Sequence, residues 1–339
     1  MLISQHMTLS KIPYEVLISN IGSALDRARS NAIRAINTEL LTANWEIGRH
    51  IVEYEQHGND KAAYGSALLN NLARDLKSRF GKGFSKSNVY LFRQFYLSYP
   101  IFPTVSGILS WSHYAELLTV SDDHARKFYE IQCIQENWSV RELKRQIDTA
   151  LYQRLALSRD KAGVMKLAEK GHEIRTHSDV AKDPYVFEFL NIPQSNLIKE
   201  RGLEKKLVDH LQSFLLELGK GFSFVARQFK ITIDNNHFFI DLVFYHRVLK
   251  CFILIDLKTR KVKHQDVGQM NMYLNYFIEE ENTAGDQEPI GIIIAADKHE
   301  FLVKYATGGL SNKIFVSKYQ LYLPDLQTLE NKVRELMQE

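Results

Sequence analysis

Residues 238–259, with the sequence FFIDLVFYHRVLKCFILIDLKT, decide how the rest of the chain is interpreted. The pattern predicts two β-strands joined by a short turn, and three charged residues lie within the apolar strands: Asp241, Asp256 and Lys258. A charge in a strand core is costly unless it is paired or bound to a metal ion. The stretch therefore departs from what folding alone requires, and such departures are expected at functional sites.

The spacing of these residues predicts how they meet. Side chains two apart on a strand share a face, so Asp256 and Lys258 lie on one face of the second strand. A hairpin with its turn at 246–250 pairs residues whose numbers sum to 497, which places Asp241 opposite Asp256. This turn lacks the Asn-Gly or Gly-Gly pair that would define its type, so the register is one option and is not forced.

Two facing carboxylates repel each other unless a cation lies between them. A hard divalent ion with oxygen ligands fits this need, and we expect Mg²⁺, with Mn²⁺ as a substitute. Lys258 on the same face could orient an attacking water molecule or stabilise negative charge on a phosphate. Together these groups suit hydrolysis of a phosphodiester. The alternative is a buried Asp–Lys pair that does no chemistry.

A family resemblance is found in the same stretch and beyond it. IDLVFYHRVLKCFILIDLKT (240–259), followed by GQMNMYL (268–274), resembles the PD-(D/E)XK nuclease core of the bacterial YhcG-type proteins. The phrases WEIGRHIVEYEQ, YGSALLNNLARDL, FGKGFS, LSWSHY and WSVREL resemble the N-terminal domain of the same proteins. The resemblance implies an α/β, restriction-endonuclease-like C-terminal core and an all-α N-terminal domain. It also implies a DNA endonuclease rather than an exonuclease, and a homodimer, since nucleases of this fold often pair to cut both strands.

Two further site residues come from the resemblance. Glu204 lies near the start of a helix predicted at 203–218, where PD-(D/E)XK folds often supply another acid that could bind metal or hold metal-bound water. Gln269 matches a glutamine of the family pattern and could hold the active-site water or contact a phosphate. The alternatives are a first-turn glutamate that complements the helix dipole and an ordinary surface glutamine.

The N-terminal region is predicted to be helical at 14–57, 64–80 and 86–98, and the turn GKGFS joins the last two helices. This is the outline of a helix-turn-helix, although its turn is longer than in the tightest motifs. Residues 74–93 have a net charge of +5, with one acid, Asp75, and six basic residues: Arg74, Lys77, Arg79, Lys82, Lys86 and Arg93. Such a stripe is expected to contact nucleic-acid phosphates, although a solvated surface has the same composition.

We predict three parts of the chain: an all-helical N-terminal domain at 1–157, a polar linker at 158–182 and a nuclease domain at 183–339. The last part is predicted to start with a helix and three antiparallel strands. Its further predicted elements are a helix at 265–281, a buried strand at 290–297, a helix at 300–306, a strand at 313–323 and a terminal helix at 325–339.

Composition argues against several classes of protein. The 339 residues are 45% hydrophobic and 24% charged, as in ordinary globular proteins. The chain has no apolar run of about 18 residues and no secretory signal pattern, so we expect no membrane contact and a cytoplasmic location. Two distant cysteines, Cys133 and Cys251, and scattered histidines argue against disulfides and a zinc site.

Three functions compete at this point. The first is a Mg²⁺-dependent DNA nuclease in which Asp241 and Asp256, with Glu204, bind the metal ion, Lys258 acts on water, and Gln269 assists. The second is a DNA-binding or partner-recruiting subunit with a weak or vestigial nuclease core, which is disfavoured because all key positions are filled. A metal phosphatase for small molecules would leave the basic hairpin without a role. DNA versus RNA, the form of the substrate and sequence specificity stay open.

Overall fold

A computed structural model of the chain describes residues 14–57, 64–102, 108–157, 159–174, 176–192, 199–298, 313–323 and 325–338. The chain divides into two compact units, of which the first ends at Thr119 and the second begins at Val120. This division differs from the predicted boundaries at 157 and 183. Residues 120–157 therefore fold with the C-terminal part of the chain.

The first unit consists of four helices: α1 (Tyr14–His57), α2 (Tyr64–Phe80), α3 (Lys86–Ser98) and α4 (Trp111–Leu117). The first three have the predicted bounds. Helix α3 begins where Ser85 accepts a hydrogen bond from the backbone N–H of Asn88 at 3.2 Å. Gly48 of α1 lies against α3 so closely that a Cβ would be 2.1 Å from the carbonyl oxygen of Phe92.

The second unit opens with four more helices: α5 (Asp123–Glu136), α6 (Val140–Asp148), α7 (Leu151–Ala156) and α8 (Lys161–Lys170). Helices α6 and α7 are separate because Ala150, between them, adopts a left-handed backbone with φ 52°. Helix α8 lies where the sequence predicts a linker. It is ordered because Val164, Leu167 and Ala168 are buried. These three residues form a short apolar face that is hard to recognise in the sequence because the residues around it are polar.

The rest of the unit is a six-stranded sheet with helices. The strands are β1 (Tyr185–Val186), β2 (Phe222–Ile233), β3 (Asn236–His246), β4 (Cys251–Lys261), β5 (Ile290–Asp297) and β6 (Lys313–Gln320). Their order is β1-β6-β5-β4-β3-β2. Neighbours are antiparallel from β2 to β4 and parallel from β4 through β5 and β6 to β1.

Among the described residues of this part, the helices are α9 (Glu200–Asp209), α10 (Leu211–Leu218), α11 (His264–Tyr276) and α12 (Leu326–Gln338). A π-helical turn at Phe277–Glu281 extends α11. The helix predicted at 203–218 is broken at His210, whose backbone leaves the helical region at φ −114° and ψ 36°. The helix predicted at 300–306 lies outside the described residues.

The sheet is covered on both faces, which explains the continuous apolar run of β5. One buried cluster joins Leu203 and Phe214 of the α9–α10 pair to the sheet. The other joins Met270 and Tyr273 of α11 to the opposite face. Asp241 and Asp256, in the middle of β3 and β4, belong to the sheet between these layers.

Candidate active site

The hairpin of β3 and β4 has the predicted register. Leu242 pairs with Ile255, and each further pair to His246 and Cys251 keeps the same sum of residue numbers. The ladder ends at the Leu242–Ile255 pair. One position beyond this end, Asp241 Oδ2 accepts a hydrogen bond from the backbone N–H of Leu257 at 2.8 Å. The pairing of β3 with β4 therefore places the Asp241 carboxylate next to the segment that contains Asp256.

Asp256 and Lys258 form a buried ion pair on β4. Their side chains lie 2.7 Å apart, from Nζ to Oδ2, and the two residues are only 3% and 8% exposed. Burial raises the pKa of Asp256 to about 7, against the effect of Lys258 and with a further contribution from Asp241. Burial alone would lower the pKa of Lys258, but the Asp256 charge outweighs it and raises that pKa. Lys258 is therefore held as a cation.

Glu204 of α9 reaches the same site through Gln228 of β2. The side-chain amide of Gln228 donates to Glu204 Oε2 at 2.8 Å and to Asp241 Oδ1 at 3.0 Å. On the other side, Arg227 Nε lies 3.2 Å from Glu204 Oε1. Burial raises the pKa of Glu204, and Arg227 opposes that rise. Burial also raises the pKa of Asp241, against the hydrogen bond from Leu257.

Sequence reasoning did not find Gln228 or Arg227. The signal was present, because the strand pair β2–β3 keeps one register from Ile233↔Asn236 to Arg227↔Leu242. Residues paired across the Asp234–Asn235 turn have numbers that sum to 469, which places Gln228 opposite Asp241. The residue also has a left-handed backbone, with φ 48°, which sequence alone does not indicate.

Gln269 lies at the edge of the site on α11. Its amide donates to the Tyr273 hydroxyl at 2.6 Å, and that hydroxyl donates to the carbonyl of Phe239 at 3.1 Å. Burial raises the pKa of Tyr273, and the charges of Asp256 and Asp241 add to the rise. Gln269 is thus hydrogen-bonded to a tyrosine whose pKa is raised by the charges of both carboxylates.

The donor set allows a test of whether a divalent ion fits. Among the described residues, no group of three or more His, Cys, Asp or Glu side chains is arranged to hold a metal ion. Asp256 Oδ2 is buried and, although Lys258 is near, makes no hydrogen bond of acceptable geometry. Two carboxylates with free lone pairs, Asp241 and Asp256, fit Mg²⁺, which keeps several water ligands and needs only one or two protein carboxylates. Glu204 Oε1 is also buried and makes no hydrogen bond of acceptable geometry although Arg227 is near, and the part of Glu204 in binding metal stays a prediction.

The six basic residues of the α2–α3 hairpin differ in their surroundings. Arg93 donates to both oxygens of Glu55 at 2.8 and 3.1 Å, so its charge is paired. Arg74 lies beside Asp75. The remaining four cations are exposed side chains, Lys77, Arg79, Lys82 and Lys86. None of the helices in the described ranges is both long and apolar enough to cross a membrane.

The sequence of the chain matches two family models and one curated protein. Residues 178–335 match the family model described as the YhcG PDDEXK nuclease domain, and residues 20–154 match the DUF1016 N-terminal domain. The chain is 36% identical to "Putative nuclease YhcG" of Escherichia coli (strain K12), over 94% of this chain and 93% of that protein.

Solved structures are more distant. The crystal structure of a repair endonuclease from Pyrococcus abyssi shares 17% identity over 39% of this chain and 50% of the other, with a TM-score of 0.27. The EndoMS–dsDNA2 complex shares 14% identity over 40% and 50%, also with a TM-score of 0.27. This chain thus spans about half the length of either structure, and likeness at this level carries no argument. The family rests on the match over nearly the whole length of both sequences: the chain belongs to the YhcG family, with a C-terminal α/β nuclease domain of the PD-(D/E)XK type and an all-α N-terminal region.

Proposed function

We propose that this protein is a Mg²⁺-dependent deoxyribonuclease that cuts DNA internally. The observation that carries the proposal is the proximity of Asp241, Asp256 and Lys258 beside Leu242 and Ile255, the last pair of the β3–β4 ladder. A pair of carboxylates, of which Asp256 is buried and Asp241 half-buried, is costly without a cation. Burial raises the pKa of both Asp241 and Asp256 above the usual value for aspartate, as expected of carboxylates that bind a cation.

The residues of the site would divide the work as follows. A divalent ion held by Asp241 and Asp256 would polarise the phosphate and lower the pKa of a bound water molecule. Lys258, kept protonated by Asp256, would stabilise the negative charge that grows on the phosphate oxygens. This role fits its raised pKa better than service as a general base. Gln228 would fix the orientation of Asp241 and Glu204, and Gln269 would contact water or a phosphate through its free amide oxygen.

DNA is the proposed substrate because of the four exposed cations on the α2–α3 hairpin. They carry no acidic partner among the described residues, and phosphate contacts by such side chains supply most of the affinity of non-specific DNA binding. A nuclease that acts on any phosphodiester needs contacts of this sequence-independent kind. The proposal therefore joins a hydrolytic site in the second unit with a phosphate-binding surface in the first.

The test is a cleavage assay on plasmid, linear duplex, branched DNA and RNA, each with Mg²⁺, Mn²⁺ or EDTA. Asp256→Ala is expected to abolish cleavage, at least a thousandfold, while leaving DNA binding unchanged or tighter. Asp209→Ala, an exposed carboxylate on α9, is the matched control and should cleave like the wild type. Nicked and linear plasmid products would identify an endonuclease.

Two outcomes would overturn the proposal. Equal cleavage by Asp256→Ala would place the chemistry elsewhere. Retained DNA binding without product on any substrate would favour the second candidate, a DNA-binding or partner-recruiting subunit. Cleavage confined to RNA would correct the substrate and keep the site.

A further inference from the structure

The first unit carries a long apolar stripe that the fold leaves in water. It lies on α1, a helix of 44 residues, and all residues from Tyr14 to Ile36 are exposed except the half-buried Gly22. The large members of the stripe are 47% to 60% exposed: Ile18, Ile21, Leu25, Ile33, Ile36 and Leu40. They recur every three or four residues once Arg29 is included, so they share one side of the helix.

This stripe is not the surface by which α1 packs in its own unit. The contact with α3 uses Leu41, Gly48 and Val52, which are buried. Trp45 lies on the same side and donates to the carbonyl of Tyr99 at 2.7 Å. Leu41 follows the stripe residue Leu40 by one position, which turns it about 100° around the helix axis, and Gly48 and Val52 continue on the side of Leu41. The stripe is therefore a second apolar face.

The same side of α1 continues into a groove. The groove lies between α1 and α2, has a volume of about 670 Å³, and is lined by Ile47, Ile51 and Tyr54 of α1. Its other wall is formed by apolar side chains of α2 and the turn after it, including Leu68, Leu72 and Phe84. From Ile18 to Leu40 the exposed apolar stripe of α1 runs for about 33 Å. A patch of that length marks an interaction surface.

We propose that this surface binds α1 of a second copy of the chain, with the two helices antiparallel. The first half of one α1 would fill the α1–α2 groove of the other, and the reverse contact would form by symmetry. When paired residue numbers sum to about 69, as a two-fold axis near residue 34 requires, Ile18 lies over the groove at the level of Ile51, which is itself 4% exposed, and Ile33 meets Ile36. Tyr14 then lies beside Tyr54.

The charges of the stripe favour the antiparallel arrangement. Arg29 is the charged member, and its nearest acid, Asp26, is 3.8 Å away in an exposed pair. Parallel helices would place the two Arg29 side chains against each other, which is unfavourable. Antiparallel helices at the proposed register place Arg29 beside Leu40 and Glu39 of the other copy. Each arginine then gains a carboxylate.

The first half of α1 in a second copy has the apolar spacing and the length that the α1–α2 groove can bind. The groove requires a long helix whose apolar residues recur at three and four positions, and the first half of α1 is such a helix. The pairing covers the stripe and the groove of both copies at once, so neither face stays in water. The helices also match in length, since residues 14–36 of one copy lie along residues 33–54 of the other.

The first test is molar mass by light scattering on the full chain at about 50 µM. The expected mass is twice the 39.3 kDa of one chain. Ile21→Lys combined with Leu25→Lys should return the mass to one chain, because both substitutions charge the buried seam. Ser23→Lys combined with Ser30→Lys adds the same charge on the other side of α1 and should stay a dimer. Circular dichroism spectra that match the wild type would show that the monomeric variant is folded.

The second test measures the direction of the helices by disulfide cross-linking. Chains with Tyr14→Cys, mixed with chains with Tyr54→Cys, should give a covalent dimer under mild oxidation, and neither variant should cross-link to itself. The native Cys133 and Cys251 are buried and do not interfere. A wild-type monomer, or a dimer that survives the two lysines at 21 and 25, would overturn the proposal. Self-cross-linking of Tyr14→Cys would overturn the antiparallel arrangement.

Discussion

Gln228 shows how a single residue can organise a site at the expense of its own backbone. It lies in the middle of β2 with a left-handed φ of 48°, a region that costs a residue other than glycine about 1 kcal/mol or more. Both hydrogens of its amide are used, one on Glu204 and one on Asp241. The local strain is offset by two hydrogen bonds that orient the buried Glu204 and the half-buried Asp241.

We expect the strain at Gln228 to be measurable with two substitutions. Gln228→Ala and Gln228→Gly both remove the amide, but only glycine adopts this backbone freely. The alanine variant should therefore be less stable than the glycine variant by about 1 kcal/mol. Urea unfolding in EDTA gives this difference directly. If alanine were as stable as glycine or more stable, position 228 would not be strained. Both variants should cleave DNA more slowly than the wild type.

His172 offers a residue-scale test of the segment predicted as a linker. Burial lowers its pKa to about 4, and the charges of Lys182 and Arg159 add to this effect. The ordinary pKa of an unfolded histidine is about 6.5. Between these values the unfolded state holds a proton that the folded state lacks, so this contribution to stability is present above pH ~6.5 and is lost as the pH falls towards 4.

The expected result is a difference in slope. The wild type should lose free energy of unfolding between pH 6.5 and 4.5 more steeply than His172→Gln, as measured by urea unfolding at several pH values. His124→Gln, an exposed histidine on α5, is the control and should follow the wild type. Identical slopes for the wild type and His172→Gln would mean that residue 172 is solvated, as in a linker.

At the residue scale, the sequence predicts contacts that depend on strand periodicity. Asp241 and Asp256 could be placed together because a hairpin converts residue numbers into neighbours. The same count would have found Gln228. The partner of Arg93 could not be found in this way, because Glu55 lies 38 residues away on α1 and only the packing of α1 on α3 brings it near.

At the scale of elements, periodicity predicts where helices lie but not where they bend or what they touch. The bounds of α1, α2 and α3 agree with the prediction, and the turn GKGFS (81–85) and Pro100 limit α2 and α3. The break between α9 and α10 was missed, since the apolar stripe continues through His210 without a change in spacing. Helix α8 was missed because a helix of ten residues with three buried positions resembles a polar connection.

The α2–α3 hairpin is the element whose role in DNA binding can be measured by salt dependence. The variant replaces four exposed cations with alanine: Lys77, Arg79, Lys82 and Lys86. Each lost phosphate contact should lower the slope of log K against log salt by about 0.9. The control replaces four exposed lysines of the second unit: Lys127, Lys161, Lys166 and Lys170. An unchanged slope in the hairpin variant would show that this hairpin is only a solvated surface.

For the whole molecule, the unit boundary at Thr119–Val120 is the feature that sequence could not predict. Apolar spacing shows that α5, α6 and α7 have a buried face but does not say which element covers it. The reason for the boundary is a buried ion cluster around Glu217 of α10, which is fully buried. Arg154 of α7 lies 2.7 Å from it, and Arg145 of α6 also reaches it.

The charges around Glu217 bind these helices to the sheet. Burial would raise the pKa of Glu217, but Arg154, Lys182 and Arg145 outweigh it and lower that pKa. Glu217 also accepts a hydrogen bond from the backbone N–H of Val186 in β1 at 3.0 Å. Removing one side of a buried ion pair leaves an uncompensated charge and costs about 3–5 kcal/mol. The helices α5 to α8 are thus part of the fold of the second unit.

This argument predicts which fragment folds. Residues 120–339 keep the Glu217 cluster and should unfold cooperatively in urea, whereas residues 178–339, which lack Arg154 and Arg145, should be unfolded or aggregate. In the full chain, Glu217→Gln should lower the free energy of unfolding of the second unit by about 3 kcal/mol. Gln212→Glu, at the start of the same helix and exposed, is the control and should change it by less than about 0.5 kcal/mol. A fragment of residues 178–339 that unfolds at the same urea concentration as residues 120–339 would show that the sheet is stable without α5 to α8, and the boundary would then belong near residue 178.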